Sequence, residues 1–196
     1  MFYGKRGRFR KYEEFIGKNF AKLGLSPNQW TMISLILAFA AVYSIMTMNF
    51  LEAAVIIIIT AFLDVVDGCV ARTTGKACKK GAYLDTIIDR YVEFLIIFGL
   101  FFVPLPALWL PFQAWLFLYL FGAMMTTYAK SAAKEKELIK DELKGGILER
   151  AERMMILFLG IVLAAYSTQL LVYIIALLAV LSNFSALQRI VKVWRK

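Results

Sequence analysis

Between Trp30 and Met48 the chain runs for nineteen residues without a charged side chain. A helix of that length spans the ~30 Å hydrocarbon core of a bilayer. Inside that core each backbone N–H and C=O must find its partner within the protein, which favours helices. Five further apolar runs follow: Leu51–Arg72, Gly81–Val103, Pro111–Ala129, Leu148–Tyr166 and Gln169–Val193. Pro104, Pro106 and Pro111 break the chain between the third and fourth. Composition agrees: 61% of residues are hydrophobic and 19% charged, against about 45–50% and 25% in soluble domains. The expected fold is all-α, a polytopic membrane protein with six transmembrane helices.

Residues 8–23 differ in kind. Phe9, Tyr12, Phe15, Ile16, Phe20 and Leu23 recur at near-helical spacing among lysines and arginines. That pattern predicts an amphipathic helix lying in the membrane interface. No cleavable signal peptide is expected, because no apolar region with a cleavage site follows the basic residues. Ser26 is the expected N-cap of the first span and Pro27 its first helical residue. The expected organisation is a juxtamembrane helix over residues 1–25 and one six-helix membrane domain over residues 26–196. The charged run Lys130–Lys144 is expected to continue the fourth span as a solvated helix, ending at Gly145 and Gly146.

The formal charge of +9 is distributed unevenly. All 23 Lys and Arg residues fall on one side of the six spans or at the helix ends beside it, while the opposite loops carry only Glu52. Basic loops face the cytoplasm. The chain is therefore expected in the cell membrane, multi-pass, with both termini and the polar helix ends cytoplasmic. Its basic balance points to anionic headgroups or phosphorylated substrates rather than nucleic acid. With no histidine, histidine bases and histidine-ligated metals are excluded. Cys69 and Cys78 lack the spacing of a zinc site.

Four acids lie at membrane depth. Asp64 and Asp67 are three residues apart, and Asp85 and Asp89 four apart, so each pair shares a helix face. An ionised carboxylate at mid-bilayer costs roughly 2.5–3.5 kcal/mol. Four converging carboxylates repel one another unless cations sit among them. All-oxygen ligands select Mg²⁺, Mn²⁺ or Ca²⁺. The bland alternative pairs these acids with Arg72 and Arg90, but four acids outnumber two arginines. Gly68, Ala71 and Gly75 follow Asp64 at +4, +7 and +11, a small-residue stripe on one helix face. Such a stripe packs helices closely or leaves room for a flat ligand such as a nucleobase. Arg72, one turn beyond Gly68, has the planar fork that suits a pyrophosphate.

The run from Asp64 to Asp89 reads D-x2-D-G-x2-A-R-x8-G-x3-D-x3-D. It resembles the signature of the CDP-alcohol phosphotransferases at all eight specified positions and in every gap. Ser26-Pro27-Asn28-Gln29-Trp30-Thr31 and the six-span layout extend the resemblance over nearly the whole chain. The resemblance implies a membrane-embedded, dimeric enzyme that displaces CMP from a CDP-linked lipid with an alcohol. It implies two divalent cations, Mg²⁺ or Mn²⁺, held by Asp64, Asp67, Asp85 and Asp89, with Asp89 as general base on the acceptor hydroxyl. The CDP-lipid site would comprise Ser26, Pro27, Asn28, Gln29, Thr31, Gly68, Ala71, Arg72, Gly75 and Cys78. Cys78 departs from the hydroxyl residue common at its position.

The segment Gly146-Ile-Leu-Glu149-Arg150-Ala-Glu152-Arg153 resembles the G-x-x-E-R-x-E-R element of phosphatidylinositol-phosphate synthases. Tyr128-Ala129-Lys130 and Gln188-Arg189 resemble their other phosphate-binding positions, although the link from Lys130 to Glu149 is a few residues longer here. The resemblance implies that Lys130, Arg153 and Arg189 hold the phosphate of an inositol phosphate acceptor. Glycerol 3-phosphate, serine and inositol are the alternative acceptors. The implied partners are CDP-diacylglycerol or CDP-archaeol, inositol phosphate, the lipid bilayer and a second copy of the chain. A divalent-cation transporter is the competing class. It would need acids reaching toward the far side, whereas these cluster near the cytosolic ends of two helices.

Overall fold

The computed structural model describes residues 6–139 and 147–195, with side chains from residue 11 onward. It contains seven helices among these residues: α1 (Arg6–Ala21), α2 (Pro27–Met46), α3 (Phe50–Thr73), α4 (Lys79–Phe101), α5 (Phe112–Glu135), α6 (Arg150–Ala164) and α7 (Thr168–Trp194). Residues 1–5, Lys140–Gly146 and Lys196 lie outside the described residues. So do the glycine pair expected to close the charged run and the first residue of the G-x-x-E-R-x-E-R element. By length and apolar composition α2, α3 and α7 suffice to cross a bilayer. The 23 residues of α4 and 24 of α5 have the length but are less apolar on average, and α6 is 15 residues long.

Two compact units divide the chain. One comprises the chain up to Tyr43 with Val55–Ile96; the other comprises Ser44–Ala54 with the chain from Ile97 onward. In the first unit, Trp30, Leu63, Val66 and Val70 form a buried cluster. Ile16 and Phe20 of α1 pack against it, with Phe20 edge-on to Trp30 at 5.4 Å between centroids. A Cβ at Gly17 would lie 2.5 Å from Thr73 Oγ1 and 2.6 Å from the Cys69 carbonyl, so only glycine lets α1 approach α3 this closely. The apolar residues expected on one interfacial face of α1 therefore divide. Ile16 and Phe20 face the protein, while Tyr12, Phe15 and Leu23 are exposed.

Local chemistry sets the helix ends near the acids. The Gln29 carboxamide oxygen accepts from the Ser26 N–H at 2.7 Å and the Ser26 hydroxyl accepts from the Gln29 N–H at 3.4 Å, a reciprocal cap on α2. The end of α3 corrects the small-residue stripe. The helix stops at Thr73, and Gly75 adopts φ +67° beyond it, where the Lys76 N–H reaches back to the Ala71 carbonyl at 3.0 Å. Gly75 is thus a left-handed helix terminator, off the face shared by Gly68 and Ala71. Cys78 caps the next helix: its Sγ accepts from the Gly81 N–H at 3.3 Å.

In the second unit α7 packs on both α5 and α6. At the α5–α7 crossing a Cβ on Gly122 would lie 2.7 Å from the Asn183 backbone nitrogen. The Asn183 amide there donates to the Leu118 carbonyl at 2.8 Å. The expected continuation of this helix through Lys144 is also corrected. The helix ends at Glu135, and Glu137 turns left-handed at φ 55°. The Leu138 N–H bonds to the Ala133 carbonyl at 3.0 Å and the Glu137 N–H to Lys134 at 3.1 Å. This turn brings Ile139 onto Ala133 and Val193. Burying that isoleucine outweighs the left-handed strain at Glu137, which a continuous charged helix would have avoided.

Candidate active site

Asp64 and Asp67 leave α3 on one face, and Asp85 leaves the early turns of α4 toward them. A carboxylate oxygen from each of the three lies within 4.8 Å of the others. Asp89 follows Asp85 by one turn of α4 and interacts electrostatically with Asp64. Two unit charges ~4 Å apart repel by about 4 kcal/mol at an effective dielectric of 20. The cluster thus needs positive charge to stay ionised and closed. Its donors are all hard oxygens, the set that fits Mg²⁺ or Mn²⁺. Asp67 is buried, and the equally buried Thr31 of α2 donates its hydroxyl to Asp67 Oδ2. The fixed oxygen orients the carboxylate toward its neighbours.

Beside the acids lies a cavity of about 360 Å³. It is lined by Ser26, Pro27, Asn28, Thr31, Asp67, Gly68, Ala71, Arg72, Cys78 and Asp85, together with Lys76, Ala77, Gly81 and Ala82. Eight of the ten residues expected at a CDP-lipid site therefore line one cavity. The other two, Gln29 and Gly75, are engaged in the helix cap and the helix terminator described above. The sequence reading missed Lys76, Ala77, Gly81 and Ala82. The eight residues between Arg72 and Gly81 include Gly75 and Cys78, both expected at the site, and three lysines, Lys76, Lys79 and Lys80, among which the sequence alone does not single out Lys76.

The two arginines near the acids meet glutamates. Arg72 Nη2 lies 3.4 Å from Glu13 of α1, and Arg90 lies 3.1 Å from the buried Glu93.

A cationic cluster occupies the second unit. Arg153 of α6 is fully buried and donates from Nη1 to the Thr126 hydroxyl at 3.1 Å. Arg189 of α7 donates from Nη1 to the Thr126 carbonyl at 2.8 Å. Two guanidinium groups from different helices thus meet at one residue of α5, and Lys130 follows one turn later on the same face. Like charges gathered at one residue are stabilised by an anion between them. The acids of the G-x-x-E-R-x-E-R element have a separate task. Glu149 is the N-cap of α6 and Glu152 closes its capping box, accepting from the Glu149 N–H at 2.8 Å. Just before the helix, the Ile147 and Leu148 N–H groups bond to Gln188 and Ser185 of α7.

The chain is similar to known proteins. The chain is 36% identical over 176 residues to an archaetidylinositol phosphate synthase of Pyrococcus horikoshii, covering 89% of this chain and 88% of that one. It is 30% identical over 157 residues to a phosphatidylinositol phosphate synthase of Corynebacterium glutamicum, covering 76% and 68%. The fold is shared with the Mycobacterium tuberculosis phosphatidylinositol phosphate synthase in complex with manganese and citrate, at a TM-score of 0.82 and 24% identity, covering 93% of this chain and 88% of that one. Residues 24–184, from just before α2 into α7 and so including the four acids, Lys130 and Arg153 but not Arg189, match the family CDP-alcohol phosphatidyltransferase. The aspartate signature, the cavity beside it and this match together make the chain a member of that CDP-alcohol phosphotransferase family.

Proposed function

We propose that this protein transfers the phosphatidyl or archaetidyl group of a CDP-linked lipid to a hydroxyl of inositol phosphate, releasing CMP. The observation that carries this reading is the convergence of Asp64, Asp67 and Asp85 beside a cavity lined by the other signature residues. Two divalent cations held by Asp64, Asp67, Asp85 and Asp89 would neutralise the pyrophosphate and stabilise charge on the attacked phosphate and the leaving oxygen. The rest falls to the chain. Thr31 keeps Asp67 oriented. Gly68 and Ala71 leave space for the cytidine and pyrophosphate, with Arg72 as the guanidinium on the latter. Cys78 and Asn28 complete the lining beside Gly81, and Gln29 and Gly75 act by shaping the adjoining loops. Asp89 takes the proton of the acceptor hydroxyl as that oxygen bonds to the lipid-bearing phosphorus and the bond to CMP breaks. An alcohol is a weak nucleophile, and such a base typically contributes 10²–10⁴-fold.

The acceptor phosphate belongs to Arg153, Arg189 and Lys130. A phosphate monoester carries about −1.5 to −2 charges and suits paired arginine forks. Supporting this choice are the two guanidinium groups gathered at Thr126 and the inositol phosphate synthases among the relatives.

In the membrane we place six spans, α2 to α7, with α1 at the interface on its exposed Tyr12, Phe15 and Leu23. Residues 1–25 form the juxtamembrane part and 26–196 the membrane domain. Both termini and the active site face the cytoplasm, following the basic loops, and the working form is a homodimer. The decisive assay reconstitutes the protein in liposomes with CDP-archaeol or CDP-diacylglycerol, inositol phosphate and Mg²⁺, and measures CMP release. Metal-dependent release that requires inositol phosphate is expected. Release with inositol or serine but none with inositol phosphate would overturn the acceptor assignment.

A further inference from the structure

Arg72 is held from two sides. Its Nη2 lies 3.4 Å from Glu13 of α1 and 3.7 Å from the sulfur of Cys69. Its Nη1 lies over Gly68, 3.2 Å from where a Cβ would stand. Gly68 and Arg72 both line the cavity beside the aspartates, and Arg72 also lines a second cavity with Glu13 and Cys69. The guanidinium is therefore the partition between the two spaces. One edge is anchored outward to α1, and the other lies across a glycine whose missing side chain leaves it open toward the first cavity.

We infer that Glu13 is a positioning residue for the donor site: it fixes the Arg72 guanidinium so that the Nη1 edge is presented to the pyrophosphate of the CDP-lipid. This rests on the functional reading above. Arginine carries five donors in a rigid plane, so it binds a carboxylate on one edge and a phosphate on the other at once. A long side chain pinned at one edge loses less freedom when it binds an anion at the other. The seat of α1 makes the anchor possible, because Gly17 stands one turn after Glu13 and lets α1 press against Cys69 and Thr73. The juxtamembrane helix thereby becomes part of the donor site. Exposed ion pairs add little to stability, and this one is about half exposed on both sides, so its loss leaves the fold in place.

The test uses the full chain purified in detergent with Mn²⁺. CMP is the binding probe, and steady-state kinetics with CDP-lipid and inositol phosphate give the second readout. Glu13→Gln should weaken CMP binding and raise KM for the CDP-lipid three- to tenfold, with KM for inositol phosphate and the thermal midpoint unchanged. Glu13→Asp should recover part of the loss. In an Arg72→Ala background Glu13→Gln should have no further effect on CMP binding. Unchanged or tighter CMP binding by Glu13→Gln overturns the inference, as does an undiminished effect in the Arg72→Ala background. A wild-type protein that binds no CMP overturns the functional reading itself, which separates the two failures.

Discussion

Thr31 donates its hydroxyl to Oδ2 of Asp67 across 36 residues of chain, tying the first turns of α2 to the acid cluster of α3. Both residues are buried, Thr31 at 3% and Asp67 at 6% exposure, so no water is on hand to replace the bond. Thr31→Val keeps the shape and removes the donor. Loss of such a supporting partner typically costs 10–100-fold in metal affinity or activity. The Mn²⁺ concentration giving half-maximal CMP release should rise by about that factor, while Thr31→Ser stays close to wild type. An unchanged metal requirement in the valine variant would remove Thr31 from the site.

The acids themselves should be far less tolerant. Asp64→Asn, Asp67→Asn or Asp85→Asn should each lower turnover at least ~10²-fold, and EDTA should abolish it reversibly. Asp89→Asn should be equally inactive yet still bind CMP, because Asp64, Asp67 and Asp85 remain to hold a cation while the base is lost. Normal turnover by Asp64→Asn would dismiss the two-cation arrangement, and normal turnover by Asp89→Asn would dismiss Asp89 as the base.

Arg153 and Arg189 should separate from the donor site kinetically. Each charge-assisted hydrogen bond is worth ~1.5–3 kcal/mol, so Arg189→Gln should raise KM for inositol phosphate roughly ten- to a hundredfold and leave CMP affinity unchanged. Arg153 is only 1% exposed, and truncating it leaves a hole as well as a missing charge. Arg153→Lys is the better variant: it keeps the charge, loses the fork, and should show the same selective KM effect. Initial-rate measurements varying each substrate separately decide the matter, and a rise confined to the CDP-lipid KM would refute the assignment.

Packing at the α5–α7 crossing makes a stability prediction. A Cβ at Gly122 would meet the Asn183 backbone at 2.7 Å, which cannot yield. At Gly160 the added atom would meet Ile174 Cγ2 and Leu171 Cδ1 at 3.0 and 3.1 Å, side-chain atoms that need give by only a few tenths of an ångström. Overpacking typically costs 1–3 kcal/mol. Gly122→Ala should therefore lower the thermal midpoint in detergent clearly more than Gly160→Ala. Equal midpoints would show that the crossing is looser than these distances state.

Much of this protein is legible in its residues alone. Apolar run lengths place α2, α3 and α7 within a few residues. Ser26 and Pro27 mark the start of α2 because capping is a local affair, settled within four residues. The acids of the signature declare themselves because a carboxylate in an apolar run has few uses other than chemistry. Periodicity, however, reports only the faces a helix has, not what meets them or where the helix stops. It carried Gly75 onto the face of Gly68 and Ala71, although the chain needs that glycine to turn left-handed and enter α4. It carried the fourth span through Lys144, although Ile139 folds back onto Ala133 and Val193. The bond from Thr31 to Asp67, the pair of Glu13 with Arg72, and the meeting of Arg153 and Arg189 at Thr126 join residues 27 to 63 positions apart. Such contacts arise only when packed helices bring distant turns together, because the energy that selects them belongs to the interface between helices and leaves no periodic trace in either one.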